Sequence, residues 1–283
     1  MRIVSYRVNG GPWRAGAERD GAVVDLAVES VRALLAGGDA ALSAAEERAK
    51  RGNPVSGKVE VGPPVPDPEK IVCFGLNYRR HAEETGNAIP KVPTFFPKYR
   101  NSLVANGEPI VLPAKYPSEV DYEVELTAVI GKRCKNVTKA EALDYVGGYT
   151  ILNDVSARDL QMMTSQWGAG KAIDTFAPCG PVLIPAREIG DPQKLSVKTR
   201  LNGRELQNSN TADMIFPVAE LVAFLSDFMT LEPGDLIATG TPEGVGFKRN
   251  PPVFMRDGDV VELEIEKIGV LRNPIVARVP AAV

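Results

Sequence analysis

The sequence predicts an α+β protein in which strands dominate, with a small α/β unit ahead of a larger body built on a mixed or largely β sheet. Three observations carry this prediction. Strand-like runs outnumber helical ones, and they do not alternate with helices as a doubly wound sheet requires. A proline-rich stretch, Gly62-Pro63-Pro64-Val65-Pro66-Asp67-Pro68, can continue neither a helix nor a central strand, so a boundary falls there and divides the chain into residues 1–66 and 67–283. With 283 residues, 44% of them hydrophobic and 24% charged, the chain can bury one sizeable core and a smaller unit beside it.

In chain order, residues 2–26 read as short strands broken at Asn9-Gly10-Gly11-Pro12 and at Asp20-Gly21. The Ala- and Leu-rich residues 28–51 read as helix with a break at Gly37-Gly38. Beyond the boundary, strands are expected near 70–74, 121–130, 147–153, 181–184, 196–202, 235–239 and 259–267, with Asn202-Gly203 and Asp257-Gly258 as hairpin-type turns. Helices are expected at 138–146, 156–164 and 215–229, and no internal repeat is visible.

The composition narrows the partners. The formal charge is −3 and no basic run is interleaved with aromatics, so nucleic acid is not expected and a small-molecule substrate is. Cys73, Cys134 and Cys179 are odd in number and contain no C-x-x-C pair, which argues against a disulfide framework and a thiolate zinc site, and fits a reducing cytoplasm. The opening Met-Arg-Ile-Val-Ser-Tyr-Arg lacks the apolar run of a signal peptide, and no stretch is apolar enough to span a membrane.

Chemistry concentrates around a few acids. In Asp121-Tyr122-Glu123-Val124-Glu125-Leu126, strand geometry puts Asp121, Glu123 and Glu125 on one face. Residues two apart on a strand lie roughly 6.6 Å apart, so adjacent carboxylates repel by about 2–3 kcal/mol at an effective dielectric of about 20. Such a face either looks at water or holds a cation. The same alternation recurs at Val261-Glu262-Leu263-Glu264-Ile265-Glu266, so alternation alone does not decide.

His81 is the only histidine of the chain, and on a short helix Glu84 would lie on its face as an acid–base partner, between Gly75 and Gly86 as hinges of a lid. A surface helix with an incidental His is the alternative. Asp154 follows an apolar strand at the expected start of a helix, where it can face a site or cap the helix, and Arg158 and Gln161 would continue its stripe at i+4 and i+7. Convergence of Glu123, Glu125 and Asp154 would offer only oxygen ligands, suited to Mg²⁺ or Mn²⁺, with Lys171 as a balancing cation on a backbone opened by Gly168 and Gly170. Neither Gly170-Lys171 nor the glycines from Gly240 to Gly246 complete a P-loop, and no Gly-x-Ser-x-Gly elbow is present.

Taken together, Gly75-Leu76-Asn77-Tyr78 with His81 and Glu84, Asp121 to Leu126, and Asn153-Asp154-Val155-Ser156-Ala157-Arg158-Asp159 resemble the fumarylacetoacetate hydrolase family. So do Asp174-Thr175-Phe176-Ala177-Pro178 and Pro233-Gly234-Asp235 through Gly240-Thr241-Pro242, and the resemblance runs from about 69 to 276, nearest to short bacterial-type members. It implies a mixed β-sheet roll, a homodimer, and Mg²⁺ or Mn²⁺ held by Glu123, Glu125 and Asp154, with Asp121 as a neighbouring carboxylate. It also implies that His81 and Glu84 form a dyad on a lid over residues 78–95, that Lys171 sits beside the metal, and that Arg158, Gln161 and Thr241 face substrate. The animal fumarylacetoacetate hydrolase has a further acidic ligand upstream of its histidine and a longer N-terminal domain, and residues 71–80 here hold no Asp or Glu. The expected activity is Mg²⁺-dependent hydrolysis of a C–C bond in a β-diketo acid of the acylpyruvate or fumarylacetoacetate type. The alternatives are an oxaloacetate decarboxylase, a hydroxymuconate-type isomerase, and a non-catalytic protein that binds small acids.

Overall fold

The computed structural model describes residues 1–277. Residues 1–66 form strands β1 (Arg2–Val8), β2 (Arg14–Arg19), β3 (Ala22–Val28) and β4 (Val59–Gly62), with helices α1 (Val31–Ala36) and α2 (Gly38–Arg51). Ser30 starts α1 by accepting the amide of Ala33 on its hydroxyl. Then come β5 (Ile71–Gly75), α3 (Arg79–Thr85), β6 (Thr94–Lys98), β7 (Leu103–Val104), β8 (Ile110–Leu112), β9 (Val120–Asp121), β10 (Val124–Ile130), β11 (Val146–Asn153) and β12 (Ser156–Ala157). Two one-turn helices, α4 (Arg158–Gln161) and α5 (Gly168–Lys171), precede β13 (Ala177–Pro185) and α6 (Ala186–Ile189). The remainder comprises β14 (Ser196–Leu201), β15 (Arg204–Asn210), α7 (Val218–Ser226), β16 (Leu236–Ala238), β17 (Val260–Ile265) and β18 (Gly269–Ala277).

A mixed sheet runs β3-β2-β1-β13-β11-β10-β16-β5-β6, with β16 and β5 parallel and its other neighbours along this order antiparallel. A second, five-stranded sheet runs β15-β14-β17-β18-β8. The architecture is the predicted α+β type. β10 is buried along its whole length because it lies between β11 and β16 and is covered on both faces. Val124, Leu126, Ala128 and Ile130 face a core shared with the second sheet and α7, whereas Val129 faces a core shared with α1, α2 and the N-terminal strands. By the two-residue period, Glu125 lies on the Val129 side. That face carries Glu125 where β10 begins, Thr127 at its middle and Val129 beyond.

The residues predicted as an N-terminal unit join this sheet through β1, where Ile3 stands opposite Leu183 of β13. Ile3, Ala17 and Leu34 share a core with Cys73, Leu152 and Cys179.

Several predicted elements come out differently. The helix expected at 138–146 is a 3-10 turn over Ala142–Tyr145, because Gly147 must approach Gly131 closely and β11 begins at Val146. The helix expected at 156–164 is cut short at both ends: Ser156–Ala157 pair with Val120–Asp121, and only Arg158–Gln161 are helical. Asp154 therefore neither caps that helix nor shares its stripe. The strand expected over 121–130 is broken, since β9 pairs with β12 while β10 pairs with β11. Asn202-Gly203 does make the β14–β15 hairpin, both with positive φ, but Asp257-Gly258 only leads into β17. The β17–β18 hairpin turns instead at Lys267 (φ 67°). β18 was not anticipated, because Arg272, Asn273 and Pro274 interrupt its apolar pattern.

Candidate active site

The acids of the first strand meet Asp154 because β10 and β11 continue their pairing past the end of the ladder. Val124 stands opposite Asn153, the amide of Asp154 donates to the Glu123 carbonyl at 3.0 Å, and the amide of Glu123 donates to the Asn153 side chain at 3.0 Å. Glu123, Glu125 and Asp154 are all buried, and each offers an oxygen within 4.8 Å of the others'. Three carboxylate oxygens at this spacing suit one hard cation.

The surrounding charges form an alternating chain. Asp121 accepts from Arg158 Nε at 2.9 Å; Arg158 Nη2 donates to Glu123 Oε1 at 2.6 Å; Lys171 Nζ donates to Glu123 Oε2 at 2.8 Å and to Asp154 Oδ2 at 2.6 Å; Lys98 Nζ stands 2.8 Å from Asp154 Oδ1. Three acids thus alternate with three cations, and every member is buried. Glu125 stands outside the chain: among the described residues its side chain accepts only the Gly240 amide, at 2.9 Å. Burial, then the charges of Asp154 and Glu123, push the Glu125 carboxyl well above the ordinary range. Burial also works against the Glu123 charge, but Lys171 and Arg158 outweigh it and hold that carboxyl far below the ordinary range. The same partners oppose burial at the cations: Asp154 and Glu123 raise Lys171, and Glu123 and Asp121 raise Arg158.

Lys98, which sequence reasoning missed, organises the inner end. Its ammonium donates to the carbonyls of Val155, Lys171 and Phe176 at 3.0, 2.5 and 2.7 Å, which uses all three protons. Asp154 Oδ1 therefore receives charge from Lys98 without a hydrogen bond. The signal was a lysine on a strand of aromatic residues, Phe95-Phe96-Pro97-Lys98.

Glycines set two close approaches. A Cβ on Gly240, whose φ is +95°, would lie 2.7 Å from Asn77 Cβ. Gly170 lets α5 press on Ala157 and Gln161, whereas a Cβ on Gly168 would meet open space, so only one of the two predicted glycines has this role.

His81 lies in α3 with its Nδ1 3.4 Å from Glu84 Oε2, and Glu84 accepts the Gly244 amide at 3.0 Å. His81 lines a cavity of about 340 Å³ with Glu123, Glu125, Asp154, Arg158, Gln161, Lys171 and Thr241, and Glu84 stands behind it. Eight of the nine predicted site residues thus face one cavity, and the ninth touches one of them. Gln161 accepts from Arg158 Nη1 at 2.9 Å. Thr241 is held by Gln207, which donates to its hydroxyl at 2.9 Å and accepts the Val124 amide at 3.2 Å. Gln207 was also missed, as nothing in the sequence around it marks it out. The expected hinge Gly75 is packed against Trp167, whose ring a Cβ would strike, while Gly86 caps α3 with φ 73°.

The fumarylacetoacetate (FAA) hydrolase C-terminal model matches residues 70–276. The mitochondrial oxaloacetate tautomerase of Xenopus laevis is 42% identical over 98% of this chain and 90% of its own length. Among solved structures, the fumarylacetoacetate hydrolase of Exiguobacterium antarcticum is 34% identical, with a TM-score of 0.84 over 98% of this chain and 100% of its own. The maleylpyruvate hydrolase of Sphingobium sp. SYK-6, solved with manganese(II) and pyruvate, is 31% identical, with a TM-score of 0.81 over 98% of this chain and 99% of its own.

Proposed function

Since the chain belongs to the fumarylacetoacetate hydrolase family, we propose that it is a divalent-metal-dependent enzyme that enolises a small 2-oxo carboxylic acid. The observation that carries this reading is the position of Glu125, a buried carboxylate with no cation of its own among the described residues, beside two others whose oxygens lie within 4.8 Å. With Asp121, Glu123, Glu125 and Asp154 ionised, four negative charges face three positive ones, and a divalent ion turns the surplus from −1 to +1. The donors fit such an ion: all are carboxylate oxygens, and Asp154 Oδ1 has no hydrogen bond. Hard oxygen ligands select Mg²⁺ or Mn²⁺, and the manganese in the maleylpyruvate hydrolase agrees with that choice. When bound by Glu123, Glu125 and Asp154, the ion would polarise the 2-oxo group and lower the cost of enolate charge.

The chain's own residues supply the rest. His81 takes the proton from the carbon beside the 2-oxo group and returns it to carbon or oxygen, and Glu84, itself held by the Gly244 amide, fixes the imidazole. Lys171 contributes positive charge where negative charge develops, and Phe96 and Trp167 wall the cavity against water. All residues of the site lie within 67–283, and the 1–66 unit extends the sheet that carries it. We take the working form to be a homodimer. No helix among the described residues is long and apolar enough to cross a membrane.

The likeness to an oxaloacetate tautomerase along 98% of the chain favours keto–enol interconversion of a 2-oxo acid such as oxaloacetate. The His81–Glu84 pair also suits activation of a water, which supports hydrolysis of a C–C bond in an acylpyruvate as a second reading. Oxaloacetate tautomerisation and loss of acylpyruvate absorbance, each followed with Mg²⁺ and after chelation, test both. Turnover of either acid that vanishes on chelation is expected; undiminished turnover in metal-free protein overturns the proposal.

A further inference from the structure

The cavity has a cationic wall besides its inner end. Among the described residues that line it, the side chains with a permanent positive charge are Arg158, Lys171 and Lys248. Arg158 is engaged by Asp121, Glu123 and Gln161, and Lys171 by Glu123 and Asp154. Lys248 has no carboxylate within 4.0 Å among the described residues; it donates to the Thr85 carbonyl at 3.3 Å and lies 5.3 Å from the Phe247 ring. Its backbone is nevertheless tied to the charged centre. Lys248 ends the 3-10 turn Gly246–Lys248, in which the Gly246 and Phe247 amides donate to Asp121 at 2.8 and 3.1 Å, and the Phe247 ring lies 4.3 Å from the Arg158 guanidinium. Asp121, which has no oxygen in the three-acid cluster, thus fixes where Lys248 stands relative to it.

Charge balance says what Lys248 can meet. The inner end, with its divalent ion, carries a surplus of +1, enough to neutralise one substrate carboxylate. A second carboxylate on the same molecule would have to find a cation elsewhere on the wall. We propose that Lys248 is a specificity-determining residue that pairs with the distal carboxylate of the substrate, so that the site takes 2-oxo dicarboxylic acids in preference to 2-oxo monocarboxylic ones. This rests on the enolisation reading above. Because Lys248 is exposed at the cavity mouth, the pair is partly screened, and the preference it confers is about 5- to 20-fold.

The test compares oxaloacetate with 2-oxobutyrate, in which a methyl group replaces the distal carboxylate, by C3 proton exchange in D₂O with Mg²⁺. It is paired with calorimetric binding of N-oxalylglycine against N-ethyloxamate, which differ in the same way and need no turnover. Lys248→Met should collapse the dicarboxylate preference about 5- to 20-fold in both measurements, in KM rather than kcat for exchange and in Kd for the oxamates. Lys248→Arg should restore it, and Lys248→Glu should invert it. A preference unchanged in Lys248→Met, or the absence of any preference in the unsubstituted protein, overturns the assignment while leaving the enolisation reading intact. Failure of both oxamates to bind with Mg²⁺ or Mn²⁺ present overturns the chelating site itself, and the assignment with it.

Discussion

Residues 121–126 and 261–266 carry the same alternation of acidic and apolar side chains and end in opposite environments. In the second stretch, β17 lies between β14 and β18, and its acids face outward: Glu264 meets Arg200 at 2.8 Å, Glu262 meets Arg272 at 3.4 Å, and Glu266 accepts the Ser196 amide. These are cross-strand pairs at a wet surface, each acid with its own partner and water nearby. In the first stretch the acids are buried, their cations are shared, and Glu125 is left over. An acidic stripe becomes a candidate site when its charges can be balanced neither by water nor one for one by its neighbours.

Substitutions in the two stretches should separate them sharply. Glu125→Gln and Asp154→Asn are expected to lower kcat/KM by about 10²- to 10³-fold, and Glu264→Gln to leave it unchanged; steady-state kinetics with saturating Mg²⁺ decide, and equal losses at both strands would end the contrast. Metal response should follow. Saturating Mn²⁺ at about 100 times its Kd stabilises by about 2.7 kcal/mol. Thermal melts should therefore rise by about 5 °C in the unsubstituted protein and in Glu264→Gln, with no comparable shift in Glu125→Gln.

The pH dependence of the metal-free protein sharpens the comparison further. A carboxyl whose pKa is raised on folding contributes stability below its ordinary value, near 4.5 for glutamate, and loses that contribution as pH rises through the raised value. Chelator-treated protein should therefore lose stability on the alkaline side of 4.5 with a slope that Glu125→Gln reduces and Glu264→Gln does not. Denaturant titrations at stepped pH measure it, and a slope untouched by Glu125→Gln would place the unbalanced charge elsewhere. The smallest effect belongs to the outer pair: Arg200→Gln should cost no more than about 1 kcal/mol, fading with salt.

Much of this was legible in the sequence. Glu123 and Glu125 of the acidic strand, Asp154, Lys171, Arg158, Gln161, Thr241 and the His81–Glu84 pair could all be named from motifs, and eight of these nine residues line one cavity. Local grammar was read less well: two of the expected helices, one beside the site and one at the far end of β11, shrank to one turn of α-helix and a 3-10 turn, because pairing with β9 and the close packing of Gly131 on Gly147 overrode helical propensity. Lys98 and Gln207 escaped notice since each acts through partners far along the chain. Lys98 reaches Val155, Lys171 and Phe176, and Gln207 reaches Val124 and Thr241.

By itself the sequence determined which residue types are present and at what period, and hence that oxygen donors, a lone imidazole and several cations were available on strands and short helices. Only the tertiary structure decided which acid had no cation. That outcome depends on whether Lys98 and Arg158 arrive from β6 and α4 within 3 Å of particular carboxylates, and Coulomb interactions are set by distance and burial, which chain order does not encode.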